Sequence, residues 1–271
     1  PRLDLFFVNR GDGKPTHILT ERDKAWVNIH DDIYFLRESE RFLWASERSG
    51  HMHLYLYDLA GKLLGPVTSG EWAIRSAGGA VSWLRQAVHA IDEEGGWVYF
   101  TALRKSSIEK HLYRVRLDGT GLERLTKTDG THGIGFSQDD RYYFSQHSSS
   151  STPPSLSLHA PDGRRLALVA PSREKLFSEL GMRAPEHFSI RTSDGFEMPA
   201  QLLKPAGFQP HRRYPVIMHV YGGPAAPVVA DAWPSRNYFD QVLLNHGYLV
   251  FRCDNRSATA KIGRASCRER V

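Results

Sequence analysis

The apolar positions of this chain change period once, near residue 171. Before that point they fall in short runs separated by acidic or glycine-containing turns, the mark of brief strands joined by hairpins. Three aromatic strands line up: Arg41-Phe-Leu-Trp44, Gly96-Trp-Val-Tyr99 and Arg141-Tyr-Tyr-Phe144. Each follows a turn of acidic or glycine residues (Glu38-Ser-Glu40, Asp92-Glu-Glu-Gly95, Gln138-Asp-Asp140). Each precedes a second strand, His53-Leu-Tyr-Leu-Tyr57, His111-Leu-Tyr-Arg-Val115 or Ser155-Leu-Ser-Leu158. Tight turns at Asp58–Gly61, Asp118–Gly121 and Pro161–Gly163 lead to third strands at Leu63–Thr68, Leu122–Thr126 and Leu166–Val169. Leu5–Gly13 and His17–Thr20 read as an incomplete earlier copy. The first strands recur at offsets of 55 and 45 residues, close to the roughly 40–50 residues of a four-stranded propeller blade. A β-sandwich would share the hairpins but not this matched order of turn, aromatic strand, turn and strand. The pattern therefore predicts a partial β-propeller, its last three to four blades, over residues 1–171. Propellers close with about four to eight blades, so either this propeller is unusually small or further blades lie upstream of Pro1, and the non-methionine start favours the second.

From Pro171 the spacing turns helical. Arg173–Leu180 sets Leu176, Phe177 and Leu180 on one face, with Ser172 as N-cap and Gly181 as stop. His187–Thr192 and Phe196–Leu203 flank Ser193-Asp-Gly195 as a hairpin. Val216–Val220 reads as a buried strand, Tyr238–Asn245 as a helix ended by Gly247, and Tyr248–Arg252 as the next buried strand. Hairpin, strand, helix and strand are the front of an α/β domain with parallel pairing, assigned to residues 172–260. At the carboxyl end of the Val216–Val220 strand stand Tyr221, Gly222, Gly223 and Pro224. Ligands of open α/β sheets bind beyond such strand ends, and α/β-hydrolases place half of an oxyanion hole at this corner. An ordinary strand-to-loop exit with a packing tyrosine fits the same four residues.

Composition changes this picture little. Charged and apolar fractions are those of an ordinary globular protein. No apolar run is long enough to span a bilayer, so no membrane segment is expected. The net charge is +5, but Lys261, Arg264, Arg268 and Arg270 stand against only Glu269 in the last eleven residues. The remainder lacks the basic stripe of a nucleic-acid binder. That tail, residues 261–271, has no apolar period and reads as non-native. Two cysteines, Cys253 and Cys267, make neither a disulfide framework nor a CxxC metal site.

The motifs together resemble the prolyl oligopeptidase family of serine peptidases, specifically its dipeptidyl-peptidase IV branch. The resemblance runs through Trp26–Asp32, Ala45–Gly50, His53–Asp58, Tyr214-Pro-Val216, Val220-Tyr-Gly-Gly-Pro224 and Asp254-Asn-Arg256. It departs at Ser257, where the family usually has glycine. The resemblance implies a propeller capping an α/β-hydrolase that releases dipeptides from peptide amino termini, often after proline or alanine. It implies peptide substrates, no cofactor, no metal, and a homodimeric parent as one expectation. It assigns Tyr221 the oxyanion-stabilising hydroxyl. A donor aimed where negative charge develops is worth a few kcal/mol in a dry site.

The rest of the catalytic set is missing from the sequence. No G-x-S-x-G nucleophile elbow occurs: the one glycine pair at that spacing, Gly61 and Gly65, flanks Leu63. The chain by itself is therefore expected to be inert. A non-catalytic propeller that binds peptides or proteins, with a vestigial hydrolase, is the competing reading. Other residues carry weaker signals. Glu93-Glu94 reads as a solvated turn before an amine anchor. His51 and His53 read as a surface strand pair before metal ligands. His219 reads as an interior histidine before a base. The serine run Ser148–Ser151 reads as a solvated loop. Phe42, Trp44, Trp97, Tyr99, Tyr142 and Tyr143 read as strand packing.

Overall fold

Alternating side chains that are apolar on both faces require both faces of a sheet to be covered, and the first half of the chain is built that way. The structure, a computed structural model, describes residues 1–24, 27–74, 87–220, 227–234 and 238–256. Strands β1 (Arg2–Val8) and β2 (Pro15–Arg22) form an antiparallel hairpin. Strands β3 (Ile33–Phe35), β4 (Arg41–Ser46), β5 (His53–Asp58) and β6 (Leu63–Pro66) form a four-stranded meander. A second meander comprises β7 (Val88–Asp92), β8 (Trp97–Ser106), β9 (Glu109–Arg116) and the short β10 (Glu123–Arg124). A third comprises β11 (Thr131–Phe136), β12 (Tyr143–Ser148), β13 (Ser155–His159) and β14 (Arg165–Ala170). A single parallel pair, Thr131 with Lys110, joins the second and third into one eight-stranded sheet. No sheet closes on itself among the described residues.

The meanders stack face to face. On β4, Phe42 and Trp44 join Ile18, Leu19, Tyr55 and Tyr57 against the β1–β2 hairpin. Their neighbours Leu43 and Ala45 point the other way and meet Val98, Phe100 and Tyr113 of the second meander. Tyr99 in turn faces Tyr143 of the third, with Leu112 and Leu125. The strand period of two thus divides one aromatic run between two cores. Fully burying such a side chain contributes about 1.5–3 kcal/mol. The tight turns bring successive units close. At Gly61 (φ +88°) a Cβ would collide with the Ile18 carbonyl, and at Gly119 (φ +85°) it would crowd the Pro66 carbonyl at 3.1 Å. Glycine is required there for both the left-handed backbone and the approach.

Each meander gains a leading strand (β3, β7, β11) that the aromatic pattern alone does not mark. The third aromatic strand begins at Tyr143 rather than Arg141, and Tyr142 is 41% exposed, so it takes no part in the packing expected of it.

In the second half a short helix α1 (Lys175–Glu179) leads to β15 (Glu186–Arg191), β16 (Glu197–Leu203), β17 (Val216–His219), helix α2 (Phe239–Asn245) and β18 (Leu249–Cys253). The sheet order is β15-β16-β18-β17, with β17 and β18 parallel. Three expectations are corrected here. Ser172 does not cap α1: its hydroxyl donates to the Pro153 carbonyl instead, and Leu180 is exposed. The Val216 strand is not buried. As the edge strand it has one hydrogen-bonded neighbour and α2 on one side, leaving Val216, Met218 and Val220 53%, 59% and 70% exposed. The following strand is central, and its Val250 is fully buried with Leu203 and Leu244.

Candidate functional site

The crevice of interest lies at the carboxyl ends of β17 and β18, where parallel strands and helix α2 meet. Tyr221, Gly222, Gly223 and Pro224 lie outside the described residues, as does the tail 261–271. The groups on either side of Tyr221 in the chain are described. His219, opposite Arg252 in the ladder, sets its Nε2 3.4 Å from Asp240 Oδ1 on α2. The Arg252 guanidinium donates to the other oxygen of Asp240 at 2.6 Å. Asp240 is buried, so its charge depends on that pairing. His219 is thus a half-buried residue beside a carboxylate, its side chain 35% exposed on the edge strand, and not the interior histidine expected.

On the far side, residues 227–234 return to the sheet end as a strap without regular secondary structure, bent at Asp231 and Ala232. Asp254, just beyond β18, is buried, and its own N–H donates to the Pro199 carbonyl. Its carboxylate accepts the N–H of Val228 at 2.6 Å and that of Val229 at 3.2 Å. Burial pushes the Asp254 carboxyl up to about 6, and the two amide donors hold it from rising further. Two residues on, Arg256 pairs with Asp194 in the β15–β16 turn and lies over the Phe196 ring at 4.6 Å. The Asp254-Asn-Arg256 motif therefore staples the sheet end in two directions.

The strap continues onto the first half of the molecule. Asp231 N–H donates to the Ile108 carbonyl at 2.8 Å. The Asp231 carbonyl accepts from the Thr131 hydroxyl at 3.0 Å. Its Oδ1 accepts both the N–H and the hydroxyl of Ser150, at 2.7 and 2.8 Å. Trp233 N–H donates to the Ser148 hydroxyl, and its ring meets Phe177 edge-on at 5.9 Å. The serine run is therefore a docking loop and not a solvated one. Its serines supply the hydroxyls and amide that a partly buried carboxylate needs.

Other sequence candidates resolve structurally. Glu93 is no solvated turn residue: its carboxylate accepts the amides of Arg37 and Glu38 and the Ser39 hydroxyl, clamping the β3–β4 turn. His53 is not on the surface but fully buried. Its Nε2 lies 2.9 Å from the Gly70 carbonyl and its Nδ1 3.0 Å from the Thr68 hydroxyl. Among the described residues no group of three or more His, Cys, Asp or Glu is placed to hold a metal ion. Burial pushes the Cys253 thiol up, away from nucleophilic reactivity. No described helix is long and apolar enough to cross a membrane. Sequence reasoning missed Asp231 altogether. An aspartate in a polar loop carries no local signal, because its partners Ser150, Thr131 and Ile108 are all more than 80 residues away in the chain.

A family model described as the dipeptidyl peptidase IV (DPP IV) N-terminal region matches residues 1–154. A probable dipeptidyl-aminopeptidase B of Emericella nidulans is 31% identical over 263 residues, covering 92% of this chain and 28% of that protein. Dipeptidyl peptidase 8 of Homo sapiens is 28% identical over 280 residues, covering 90% of this chain and 30% of the relative. The crystal structure of Porphyromonas gingivalis dipeptidyl peptidase 4 superposes with a TM-score of 0.79 at 26% identity, covering 93% of this chain and 34% of that one. The chain thus spans about a third of the length of these relatives.

Proposed function

Because this chain belongs to the dipeptidyl peptidase IV family, we propose that it forms part of a serine peptidase releasing dipeptides from peptide amino termini. In this reading the stacked meanders are the closing blades of a propeller over residues 1–171. Residues 172–260 are the front of an α/β-hydrolase, and Tyr221 donates its hydroxyl to the oxyanion of the tetrahedral intermediate. The nucleophile, the acid and the histidine base would come from sequence that this chain does not contain. Peptides are the substrates, and the chain alone is inert.

The observation that carries this reading is the treatment of the two ends of the Tyr221 loop. A parallel strand pair delivers the chain to the sheet-end crevice. Asp254 then catches its return with two charge-assisted hydrogen bonds to the amides of Val228 and Val229. Oxyanion catalysis depends on donors fixed before the charge develops, and a loop pinned at both ends suits that demand.

Peptide p-nitroanilides test the reading. The 271-residue chain is expected to show no turnover above a Tyr221→Phe control, and turnover above that control would overturn its inertness. In a longer polypeptide carrying this segment with a complete triad, Tyr221→Phe is expected to lower kcat by roughly 10²–10³, the usual loss for one oxyanion donor, with KM little changed. An unchanged kcat would remove Tyr221 from the mechanism.

A further inference from the structure

We propose that Asp231 is a positioning residue that transmits the placement of the N-terminal sheets, along the 227–233 strap, to the mouth of the crevice at the ends of β17 and β18. Its functional meaning rests on the peptidase reading of that crevice; the coupling itself does not.

The strap has two anchorages and little else. At one end Val228 and Val229 hang from Asp254, which β18 delivers from the second half. Two residues later Asp231 is held entirely by the first half. Ile108 lies in the β8–β9 turn, Thr131 at the start of β11, and Ser150 in the loop after β12. Val229 and Trp233 are buried, while Ala230 between them and Asp231 is exposed. Asp231 and Ala232 form a bend between these two buried residues. Asp231 stands at that bend, half-buried, with its N–H, its carbonyl and its carboxylate all engaged.

The chemistry explains why an aspartate serves here. One oxygen accepts both the amide and the hydroxyl of Ser150, and a charged acceptor makes each bond stronger than a neutral one would. Thr131 is also the residue whose pairing with Lys110 joins the second and third meanders. Asp231 thus grips the seam between two N-terminal units rather than one of them. A shift at that seam is passed from Asp231 to Val228 and Val229 with only Ala230 between. Coupling of this kind is established by measurement and not by proximity.

Amide hydrogen exchange on the full chain measures it. Ser150→Ala and Asp231→Ala are each expected to speed exchange of the Val228 and Val229 amides about 10-fold or more. Asp231→Asn keeps an oxygen acceptor but loses its charge, and is expected to fall between wild type and Asp231→Ala. The double variant Ser150→Ala/Asp231→Ala should be no worse than the worse single, as for partners in one interaction. The Asp58 and Gly61 amides, bonded within the remote β5–β6 turn, serve as controls and should not change. The Asp254 carboxyl resonance, followed through its titration, should move its midpoint in Ser150→Ala, which a purely local loosening at Ser150 would not cause. Unchanged Val228 and Val229 exchange in Ser150→Ala overturns the proposal. So does an equal rise at the control amides, since that is global destabilisation. A failed peptidase assay leaves these outcomes intact, so the two readings fail separately.

Discussion

Thr68 and Thr126 show how a single hydroxyl can close a polar account inside an apolar core. Thr68 Oγ1 accepts the Leu54 N–H at 2.9 Å and lies 3.0 Å from His53 Nδ1. His53 Nε2 faces the Gly70 carbonyl, which can only accept, so Nε2 carries the proton. Nδ1 is then an acceptor, and the Thr68 hydroxyl donates to it. The same relay recurs one unit on: Thr126 Oγ1 accepts Leu112 N–H at 3.1 Å and meets His111 Nδ1 at 3.0 Å, while His111 Nε2 faces Glu109 Oε2. Burial lowers the pKa of both histidines and so favours the neutral ring that this arrangement needs. The repeat was legible as His53-Leu-Tyr and His111-Leu-Tyr, but its threonine partners, 15 residues on, were read only as strand ends. Thr68→Val keeps the shape and strands two buried groups, Leu54 N–H and His53 Nδ1. It is expected to destabilise by about 1–3 kcal/mol, the cost of an unsatisfied buried partner. Thr68→Ser is expected to cost less than half as much. Urea unfolding at pH 7 decides, and equal losses for the two would show that the methyl and not the hydroxyl matters.

At the scale of elements, strand existence was plain in the sequence and strand environment was not. The aromatic strands, the Asp194-Gly195 hairpin, α2 and its Gly247 stop all read directly from period and turn chemistry. The leading strands β3, β7 and β11 did not, because Ile33–Phe35 is too short for a period and Thr131–Phe136 is interrupted by Gly133 and Gly135. Val216–His219 read as buried because an apolar run reports covered faces without saying whether a neighbour lies on each side. Asp254 likewise read as a family motif, while its role as acceptor for a returning strap is visible only in three dimensions. The burial of Asp254 has a pH signature. Its folded pKa, about 6, is raised above the ordinary 3.8. The folded state therefore holds the proton more tightly. The associated stabilisation is complete below about pH 4 and is lost as pH rises through about 6. At one pKa unit per about 1.4 kcal/mol, this contribution is on the order of 2–3 kcal/mol. Asp254→Asn should flatten the stability profile between pH 4 and 7 relative to wild type, measured by denaturant titration at several pH values. A wild-type and a variant profile of the same slope across that window would mean that Asp254 does not titrate there.

The molecule as a whole is held along a chain of neighbours, each unit gripping the next, and it ends on open edges. Between the stacked meanders the buried aromatic cores supply the cohesion, and between the two halves the strap at Asp231 adds a polar latch. The outer strands lack that protection. On β14, Leu168 and Val169 are 51% and 52% exposed, and among the described residues β14 pairs only with β13. On β17 Val216 and Met218 are exposed, as is Val220 just past its end, and among the described residues the strand's single partner is β18. Parallel strands are ordinarily covered on both faces, and an open edge with apolar side chains is a template for another chain. A net charge of +5 opposes association only weakly in physiological salt. The isolated chain is therefore expected to self-associate, its weight-average mass in sedimentation equilibrium rising with concentration across the micromolar range. Lysine on an edge strand is costly to bury against a second copy, so Met218→Lys should shift that rise to about 10-fold higher concentration, with Leu168→Lys giving a smaller shift. The ordering follows from the sheets: β17 offers both an edge and an uncovered apolar face, whereas the edge of β14 is bent by register shifts against β13, and such irregularities blunt pairing. A monodisperse monomer at every concentration would show that the edges are shielded by segments of this chain itself.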